Sequence, residues 1–377
     1  MKAFVLYGIG DLREEEREIP TPTAGEALVR VLACGICGSD VPRVYETGAH
    51  RHPLIPGHEF SGCVESVGEG TDPGLVGKRV GIFPLIPCGK CSACRAGRYE
   101  LCSSYDYLGS RRDGGFAEYV CVPAHRLVPL PDRITDEQAA MLEPMGVALH
   151  AIRRGGLLTG PADAGATRPE NALVSRLRIQ KIAVLGLGTI GMLAVMLLKD
   201  AGYHEVYAIG TRSAQQNRAR SFGIDDAHYL DARALGTDRL ITELERRTDG
   251  GADLVLECVG TSEAAQQAVL AAAPLGTVVL VGNPHGTMEL PRETYWRILR
   301  RQLTLTGTWN ASFTGGTDDD WSYLLERLSD GMDPSALITH RLPLAQLPYG
   351  LELMRDKSED YCKVMLQICS NKATKEC

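Results

Sequence analysis

The sequence lacks any hydrophobic run long enough to cross a membrane. Its longest apolar stretch, from Leu185 to Leu198, contains three glycines and stops at Lys199 and Asp200, short of the ~20 residues that a spanning helix needs. The segment from Met1 to Glu16 has neither the long apolar region nor the small-residue cleavage site of an export signal. These absences predict a cytoplasmic protein with no membrane partner.

A dense basic stripe is missing as well. The net charge is -7 and both signs are mixed along the chain. Nothing in this pattern follows a phosphate backbone, so we expect no nucleic-acid partner. No internal repeat is found, and a length of 377 residues predicts two domains.

Cysteine, in contrast, is concentrated in one loop. Four of the 12 cysteines follow the pattern C-x2-C-x2-C-x7-C, at Cys88, Cys91, Cys94 and Cys102. Thiolates at this spacing suit one tetrahedral zinc ion with no position left open for a substrate, which is a structural site. A pair of disulfides or buried free thiols is the alternative. A chain with ample core needs no disulfide staples, so the clustering favours metal in a reducing compartment.

The first third of the chain consists of short β-rich segments separated by Pro and Gly, such as Ala27 to Ala33 and Phe116 to Val122. This pattern predicts an all-β domain. A helix is expected from about Asp136 to Arg153, and a solvent-exposed excursion from Gly156 to Arg178.

From Lys181 onward, apolar strands alternate with segments of helical length. The alternation predicts a parallel sheet with helices on both faces. The expected strands are Lys181 to Leu185, Glu205 to Ile209, Ala252 to Glu257, Thr277 to Val281 and Leu303 to Gly307. Residues 310–377 return to a mixed composition, end in an apolar run at 363–368, and are expected to rejoin the first domain.

A glycine-rich turn follows the first of these strands. The sequence Gly186-Leu-Gly188-Thr189-Ile190-Gly191 has the G-x-G-x-x-G spacing. Its glycines allow a tight turn and a close approach of a pyrophosphate, which the free N–H groups of the next helix would bind. Because the turn lies between a strand and a helix in repeated βα units, it predicts a dinucleotide site rather than an ordinary tight turn.

The end of the second strand in this region has no carboxylate. It carries Gly210, Thr211 and Arg212, where an acid would bind the adenosine ribose hydroxyls of NAD. Since Arg212 is able to pair with a 2′-phosphate, we expect NADP(H) to be preferred over NAD(H). A solvated Arg212 beside a permissive pocket is the alternative.

Other strand ends are expected to complete the cofactor site. Two three-residue segments follow strands and are expected to border the nicotinamide half, and two residues end the last strand there. These residues are Cys258, Val259, Gly260, Val281, Gly282, Asn283, Thr308 and Trp309.

A second set of possible metal ligands is spread along the chain. Cys37, the pair His58-Glu59, and Glu143 offer a thiolate, an imidazole and carboxylates. This donor set suits zinc with room for water or a substrate oxygen. Taken singly, each has an ordinary alternative: a small buried cysteine, a histidine at the core edge, or a charge on a helix surface.

Taken together and in order, the motifs resemble those of the zinc-dependent medium-chain dehydrogenases, in the branch that contains the polyol dehydrogenases. Besides the four-cysteine loop they are CGICGSD at 34–40, GHEFSG at 57–62, GSRRDGGFAEY at 109–119, EP at 143–144 and GLGTIG at 186–191. The resemblance covers nearly the whole chain and implies an α/β protein. Its GroES-like, β-rich catalytic domain would comprise 1–151 and 310–377, with a structural-zinc lobe at 86–104. A doubly wound Rossmann domain would span 152–309.

The resemblance also implies roles for the second ligand set. Cys37, His58 and Glu143 become the catalytic-zinc residues, with Glu59 as a close or exchanging ligand, which gives two Zn²⁺ per subunit. Alcohol dehydrogenases of the family carry Cys where this chain has Glu143, so the glutamate indicates the polyol branch.

In the implied reaction, zinc lowers the pKa of a bound alcohol so that hydride passes to the nicotinamide. Ser39 is then expected to be the first hydroxyl of the proton relay, with Glu59 or Glu143 assisting through water. A histidine often follows this serine in the family, but Pro42 and Arg43 stand there instead.

The implied substrate is a polyol, a polyol phosphate or a ketose. His50, Arg51, Arg111 and Arg112 offer positive charge for a phosphate, or are solvated loop residues. Because the acid is missing at Gly210, an NADPH-dependent reductase of a ketose, cyclitol or amino alcohol is an alternative. An inactive nucleotide-binding protein is another, against which the intact ligand set argues. The resemblance further implies a homodimer or homotetramer.

Overall fold

The computed structural model describes residues 1–158, 180–284 and 286–369. The strands are β1 Lys2–Gly8, β2 Asp11–Glu16, β3 Glu26–Ile36, β4 Glu59–Val67, β5 Arg79–Ile82, β6 Leu85–Ile86, β7 Asp106–Tyr107, β8 Tyr119–Pro123, β9 Leu127–Pro129, β10 Ile182–Leu185, β11 Val206–Gly210, β12 Tyr229–Asp231, β13 Ala252–Glu257, β14 Ala272–Leu280, β15 Thr304–Gly307, β16 Ile338–Pro343 and β17 Lys363–Gln367.

The α-helices of the same ranges are α1 Asp40–Tyr45, α2 Ser92–Arg95, α3 Asp136–Ala140, α4 Leu142–Arg154, α5 Thr189–Asp200, α6 Ser213–Ser221, α7 Ala232–Thr248, α8 Ser262–Ala271, α9 Arg292–Arg301, α10 Asp320–Ser329 and α11 Leu347–Asp356. None of these helices combines the length and the apolarity of a membrane span. The expected excursion from Gly156 to Arg178 lies, except for its start, outside the described residues.

The chain forms two compact units. The first comprises residues 1–143, 312–317 and 321–377, and the second comprises residues 144–311 and 318–320. Chain contacts therefore divide near residues 143 and 311, whereas the sequence predicted domain boundaries after residues 151 and 309.

The first unit is built on a seven-stranded sheet in the order β16-β17-β3-β4-β5-β9, with β8 also paired to β3. The central strand β3 is buried at nearly every position, because strands pair with it on both edges and apolar side chains cover both faces. Its core includes Val29, Val31, Phe60 and Phe116. The chain returns late to this sheet, since β16 and β17 come from its last forty described residues.

The second unit contains a six-stranded parallel sheet in the order β12-β11-β10-β13-β14-β15. This is the doubly wound order, in which the strand sequence reverses beside the first strand. The carboxyl ends of β10, β11 and β13 meet at one edge, because Leu185 is in register with both Ile209 and Glu257. A ligand site is expected in the crevice at this edge.

The predicted strands of this unit are present with small shifts in their bounds. The strand expected from Thr277 to Val281 is longer and begins at Ala272. The short strand β12 was not predicted, and the helix expected from Asp136 to Arg153 is two helices, α3 and α4. The fold class predicted from the sequence is thus confirmed in its main lines.

Candidate active site

Three predicted ligands from the first unit converge. The donor atoms of Cys37, His58 and Glu59 all lie within 4.8 Å of one another. Cys37 directly follows β3 and Glu59 begins β4, and these strands pair so that Gly35 is opposite Glu59. A side chain at Gly35 would be excluded, since a Cβ there would lie 2.2 Å from Glu59 Oε2. Glycine at this position therefore leaves room for the Glu59 carboxylate.

A buried aspartate supports the Cys37 turn. Asp40 Oδ2 accepts a hydrogen bond from the Cys37 N–H at 3.0 Å, and Asp40 Oδ1 pairs with Arg43. The same carboxylate lies 3.6 Å from His58 Nδ1. Ser39 precedes α1, and its N–H donates to Cys37 Sγ at 3.5 Å while its side chain makes no capping hydrogen bond. The Ser39 hydroxyl is thus not used to begin the helix.

A buried lysine that sequence reasoning missed neutralises Glu59. Lys363 Nζ donates to Glu59 Oε2 at 2.5 Å and to the Ile36 carbonyl at 3.2 Å, and both charged side chains are about 2% exposed. Burial alone would lower the pKa of Lys363, but the charges of Glu59 and Cys37 raise it above its usual value. The available signal was a lysine at the head of an otherwise apolar terminal strand.

Glu143, at the start of α4, is held by a tyrosine that the sequence also did not indicate. The Tyr107 hydroxyl donates to Glu143 Oε1 at 2.9 Å, and the rings of Tyr107 and His58 meet edge-on with centroids 5.8 Å apart. Burial raises the pKa of Glu143 to about 6; Glu59 acts in the same direction and His58 against it. Glu143 is therefore a neighbour of the ligand set, outside the group of three that converges most closely.

The donor set fits a divalent cation. His58 Nδ1 is buried and makes no hydrogen bond with the described residues. Burial, together with the negative charges of Glu59 and Asp40, raises the pKa of Cys37 to about 12. Since Lys363 neutralises only Glu59, a thiolate at Cys37 would still need a positive charge, which zinc would supply.

The four-cysteine loop brings its thiols together as predicted from the spacing. The Sγ atoms of all four lie within 4.8 Å of one another. Cys91 is the N-cap of the short helix α2, and its sulfur accepts the Cys94 N–H at 3.5 Å. Backbone N–H groups of Cys94 and Ser103 lower the pKa of Cys91 to about 6. Backbone donors that favour a thiolate are what a closed zinc site requires.

In the second unit, the glycine turn joins β10 to α5. Gly186 has φ +92°, and a Cβ on it would lie 2.4 Å from Val259 Cγ2. A Cβ on Gly191 would lie 1.9 Å from the Gly186 carbonyl oxygen, whereas Gly188 has no heavy atom within 4 Å of its Cβ position. Gly188 precedes Thr189, the first residue of α5. The turn therefore packs closely on its inner side and is open at the helix N-terminus.

The loops after β13 and β14 meet beside this turn. The buried Glu257 carboxylate accepts hydrogen bonds from the N–H groups of Val259 at 2.7 Å and Gly260 at 2.8 Å. Gly260 and Gly282 are in backbone contact, since a Cβ on Gly282 would lie 2.0 Å from Gly260 N. The predicted segments at 258–260 and 281–283 are thus brought together, and Glu257 is the organising residue that the sequence did not single out.

Thr308 and Trp309 follow β15 at the same side of the sheet. The Thr308 N–H donates to the Leu280 carbonyl at 3.2 Å, and the Thr308 hydroxyl is buried without a hydrogen-bond partner among the described residues. Trp309 is exposed.

Two polar side chains, those of Gln215 and Tyr229, lie against the end of β11. Gln215 Oε1 accepts the N–H groups of Thr211 at 2.8 Å and Arg212 at 3.2 Å, and its amide donates to the Leu187 carbonyl. A Cβ on Gly210 would lie 2.7 Å from Tyr229 Oη and 3.0 Å from Gln215 Oε1. An acidic side chain at Gly210 would therefore displace both groups.

Two family models match the chain. The alcohol dehydrogenase GroES-like domain matches residues 23–132, and the zinc-binding dehydrogenase domain matches residues 189–330.

Full-length relatives agree with these matches. Galactitol 1-phosphate 5-dehydrogenase of Escherichia coli (strain K12) is 34% identical over 346 residues, 90% of this chain and 92% of the relative. The crystal structure of galactitol-1-phosphate dehydrogenase from Escherichia coli superposes with a TM-score of 0.84, at 31% identity over 97% of this chain and 100% of that one.

Two further solved structures contain nicotinamide cofactors. A zinc-binding dehydrogenase from Sinorhizobium meliloti 1021, bound to NADP, has a TM-score of 0.80 and 27% identity over 97% of this chain and 98% of that one. An alcohol dehydrogenase from Escherichia coli CFT073, complexed with NADH, has the same TM-score and identity, over 97% and 99%.

Proposed function

Since the chain belongs to the alcohol dehydrogenase family, with a GroES-like and a zinc-binding dehydrogenase domain, we propose that it transfers hydride between a nicotinamide cofactor and a secondary alcohol or ketone of a polyol or polyol phosphate. The observation that carries this proposal is the convergence of the Cys37, His58 and Glu59 donor atoms within 4.8 Å. The relative that acts on galactitol 1-phosphate supports a polyol phosphate as the substrate.

In this proposal, Cys37, His58 and a carboxylate hold a catalytic zinc ion, and the four-cysteine loop holds a structural one. A zinc ion bound there would lower the pKa of an alcohol substrate. Glu59 is the nearer carboxylate, while Glu143 is engaged by Tyr107. The buried ion pair with Lys363 lets Glu59 lie beside the metal set without adding an unbalanced negative charge.

The proton released from the alcohol is passed by residues of this chain. Ser39 is suited to receive it, because its hydroxyl is not tied up in capping α1 and its backbone contacts the Cys37 sulfur. Arg43, which stands where a histidine often completes this path, is paired with Asp40 and is not a proton acceptor. The outer part of the path therefore runs to water.

The cofactor is NADP(H) in preference to NAD(H). Support comes from Gly210, where a Cβ would already contact Tyr229 and Gln215, so the acid that binds the ribose of NAD would have to displace both side chains. Arg212 and the N-terminus of α6 would meet a 2′-phosphate. This preference also favours the reductive alternative, an NADPH-dependent reductase of a ketose, cyclitol or amino alcohol.

One set of measurements tests the proposal. Polyols, polyol phosphates and ketoses are assayed with both cofactors, and zinc is measured in the purified protein. We expect turnover of a polyol or its phosphate, about two zinc ions per chain, and preference for NADP(H) that Arg212→Ala reduces by roughly tenfold or more. Clear preference for NADH would contradict the cofactor assignment.

The alternative from another class, an inactive nucleotide-binding protein, predicts a different result. It would retain about one zinc ion per chain, in the four-cysteine loop, and turn over none of these substrates with either cofactor.

A further inference from the structure

The sequence offered four basic residues for a phosphate, and the structure separates them into two pairs. His50 and Arg51 lie in the segment before Gly57, and Arg111 and Arg112 lie in the segment before Gly114. The two segments are joined directly: the Gly114, Gly115 and Phe116 N–H groups donate to the carbonyls of residues 55, 57 and 56 at 2.8–2.9 Å. Gly57 immediately precedes the ligand His58, so these segments form the surroundings of the metal set.

One cation of each segment is already neutralised. Arg51 pairs with Asp113 at 2.9 Å, and Arg112 pairs with Glu26 at 2.7 Å. Both arginines line a cavity of about 240 Å³ whose other walls include Met1 and Arg17 but none of the metal-set residues. Arg51 and Arg112 are therefore engaged by acidic residues at a cavity that the metal-set residues do not line.

The other two cations have no carboxylate partner among the described residues. Arg111 lies with its guanidinium over the Tyr105 ring, 4.6 Å from the centroid, and one nitrogen donates to the Tyr105 carbonyl at 3.3 Å. Its Nε is buried without a hydrogen-bond partner in the described chain. Burial and then the positive charges of Arg111 and Arg43 lower the pKa of His50.

A row of aromatic rings connects Arg111 to the metal set. The rings of Tyr105 and Tyr107 meet edge-on with centroids 6.1 Å apart, and Tyr107 in turn contacts His58 and Glu143. Arg111 is thus linked to His58 through the rings of Tyr105 and Tyr107.

We propose that Arg111 and His50 bind the phosphate of a polyol phosphate, and that they set the preference of this site for phosphorylated substrates. This inference rests on the proposed function. The guanidinium would offer its free N–H groups to two phosphate oxygens, and the imidazole would add a further donor. Arg43 would contribute to the positive field only in part, since Asp40 neutralises it.

The test compares Arg111→Gln and His50→Gln with Arg51→Gln, the matched control from the same surface. Kinetic constants are measured on the zinc-loaded protein with a hexitol and its 1-phosphate. We expect Arg111→Gln to raise KM for the phosphate roughly 10- to 100-fold, the loss of a charge-assisted contact, with kcat little changed. KM for the free hexitol should stay within about threefold, and Arg51→Gln should leave both substrates unaffected.

A second measurement keeps the test independent of turnover. Inorganic phosphate is titrated into each variant by calorimetry, with the dinucleotide site saturated by NADP(H). Weaker phosphate binding in Arg111→Gln than in Arg51→Gln supports the site, even if neither hexitol is turned over and the proposed function is wrong. Equal phosphate binding, or equal losses for the two hexitols, overturns the inference. If Arg111→Gln fails to fold, Arg111→Lys replaces it. Lysine keeps the positive charge but lacks the paired N–H donors of the guanidinium, so the loss of phosphate affinity should be intermediate.

Discussion

At the scale of single residues, Lys363 and Glu59 form a buried ion pair within the candidate site. Lys363→Met would leave the Glu59 carboxylate buried without its cation. We expect the free energy of unfolding of the zinc-free protein to fall by about 3–5 kcal/mol, the cost of breaking a buried ion pair. The loss should be smaller in zinc-loaded protein, because the metal supplies another positive charge. Urea titrations with and without chelator measure both values.

The control for this change is an exposed ion pair. Arg341 pairs with Glu137 at 2.8 Å, with 40% and 20% of the two side chains exposed. Arg341→Met should cost only about 0–1 kcal/mol. Equal losses for the two variants would show that burial of the Lys363 pair does not matter.

The sequence could indicate the ligands but not their supports. Cys37, His58 and Glu143 lie in recognisable motifs, whereas Lys363 is 304 residues from Glu59 and Tyr107 is 36 residues from Glu143. Nothing local marks a lysine in a terminal strand or a tyrosine in a two-residue strand as the partner of a distant carboxylate. Such contacts follow from strand pairing, here β17 against β3, which periodicity alone does not determine.

At the scale of elements, the glycine turn before α5 contains one glycine that packing requires, Gly191, and one that is open toward the expected dinucleotide, Gly188. Gly191→Ala places a Cβ 1.9 Å from the Gly186 carbonyl, whereas Gly188→Ala meets no heavy atom within 4 Å. We expect Gly191→Ala to cost about 1–3 kcal/mol of stability, as overpacking does. Gly188→Ala should leave the melting temperature nearly unchanged but weaken dinucleotide binding on the order of tenfold, because the pyrophosphate approaches this backbone closely.

Thermal melting and fluorescence titration with NADPH check the two outcomes. If Gly188→Ala bound the dinucleotide like the unaltered protein, the pyrophosphate would not lie at this turn.

The four-cysteine loop gives a second prediction at this scale. Cys91→Ser removes one of four converging thiols, so zinc should fall from about two ions per chain to about one. We expect reduced thermal stability or assembly, with kcat of the folded fraction unchanged. Cys121→Ser, at a half-buried free cysteine outside the loop, is the control and should keep all its zinc. A stable, assembled Cys91→Ser protein with a purely chemical defect would contradict a structural role.

Elements were predicted well where the apolar runs were long or the caps distinct. The strands of the second unit followed from runs such as Ile182–Leu185, which are buried on both faces. The strand β12 was missed because it has only three residues, Tyr229–Asp231, one of which already caps α7. The break between α3 and α4 was also missed, although Pro144 in the first turn of α4 marks it, because a proline disrupts a helix at the carbonyl four residues before it, here that of Ala140.

At the scale of the whole molecule, the second unit presents a sheet edge suited to self-association. Within the described chain, β15 pairs only with β14. Leu280 and Leu305 are 38% and 39% exposed. An unpaired edge with exposed apolar side chains favours pairing with another chain. We therefore expect a homodimer or homotetramer that uses this edge.

Leu305→Glu tests that expectation by placing charge on the edge. The sedimentation coefficient should fall toward that of a smaller assembly, while the melting transition of the dissociated chain remains cooperative. Val76→Glu, at a 47% exposed position in the first unit, is the control and should not change the assembly. An unaltered protein that sediments as a monomer would refute this association outright.

The return of the chain to its first unit has a consequence for its synthesis. Lys363 leaves the ribosome 304 residues after Glu59, which takes roughly 15–60 s at the usual elongation rates. All of the second unit is made in that interval and is free to fold, while the first sheet still lacks β16 and β17. A nascent chain arrested before residue 363 should therefore resist protease over residues 180–311 but be cleaved within residues 1–143.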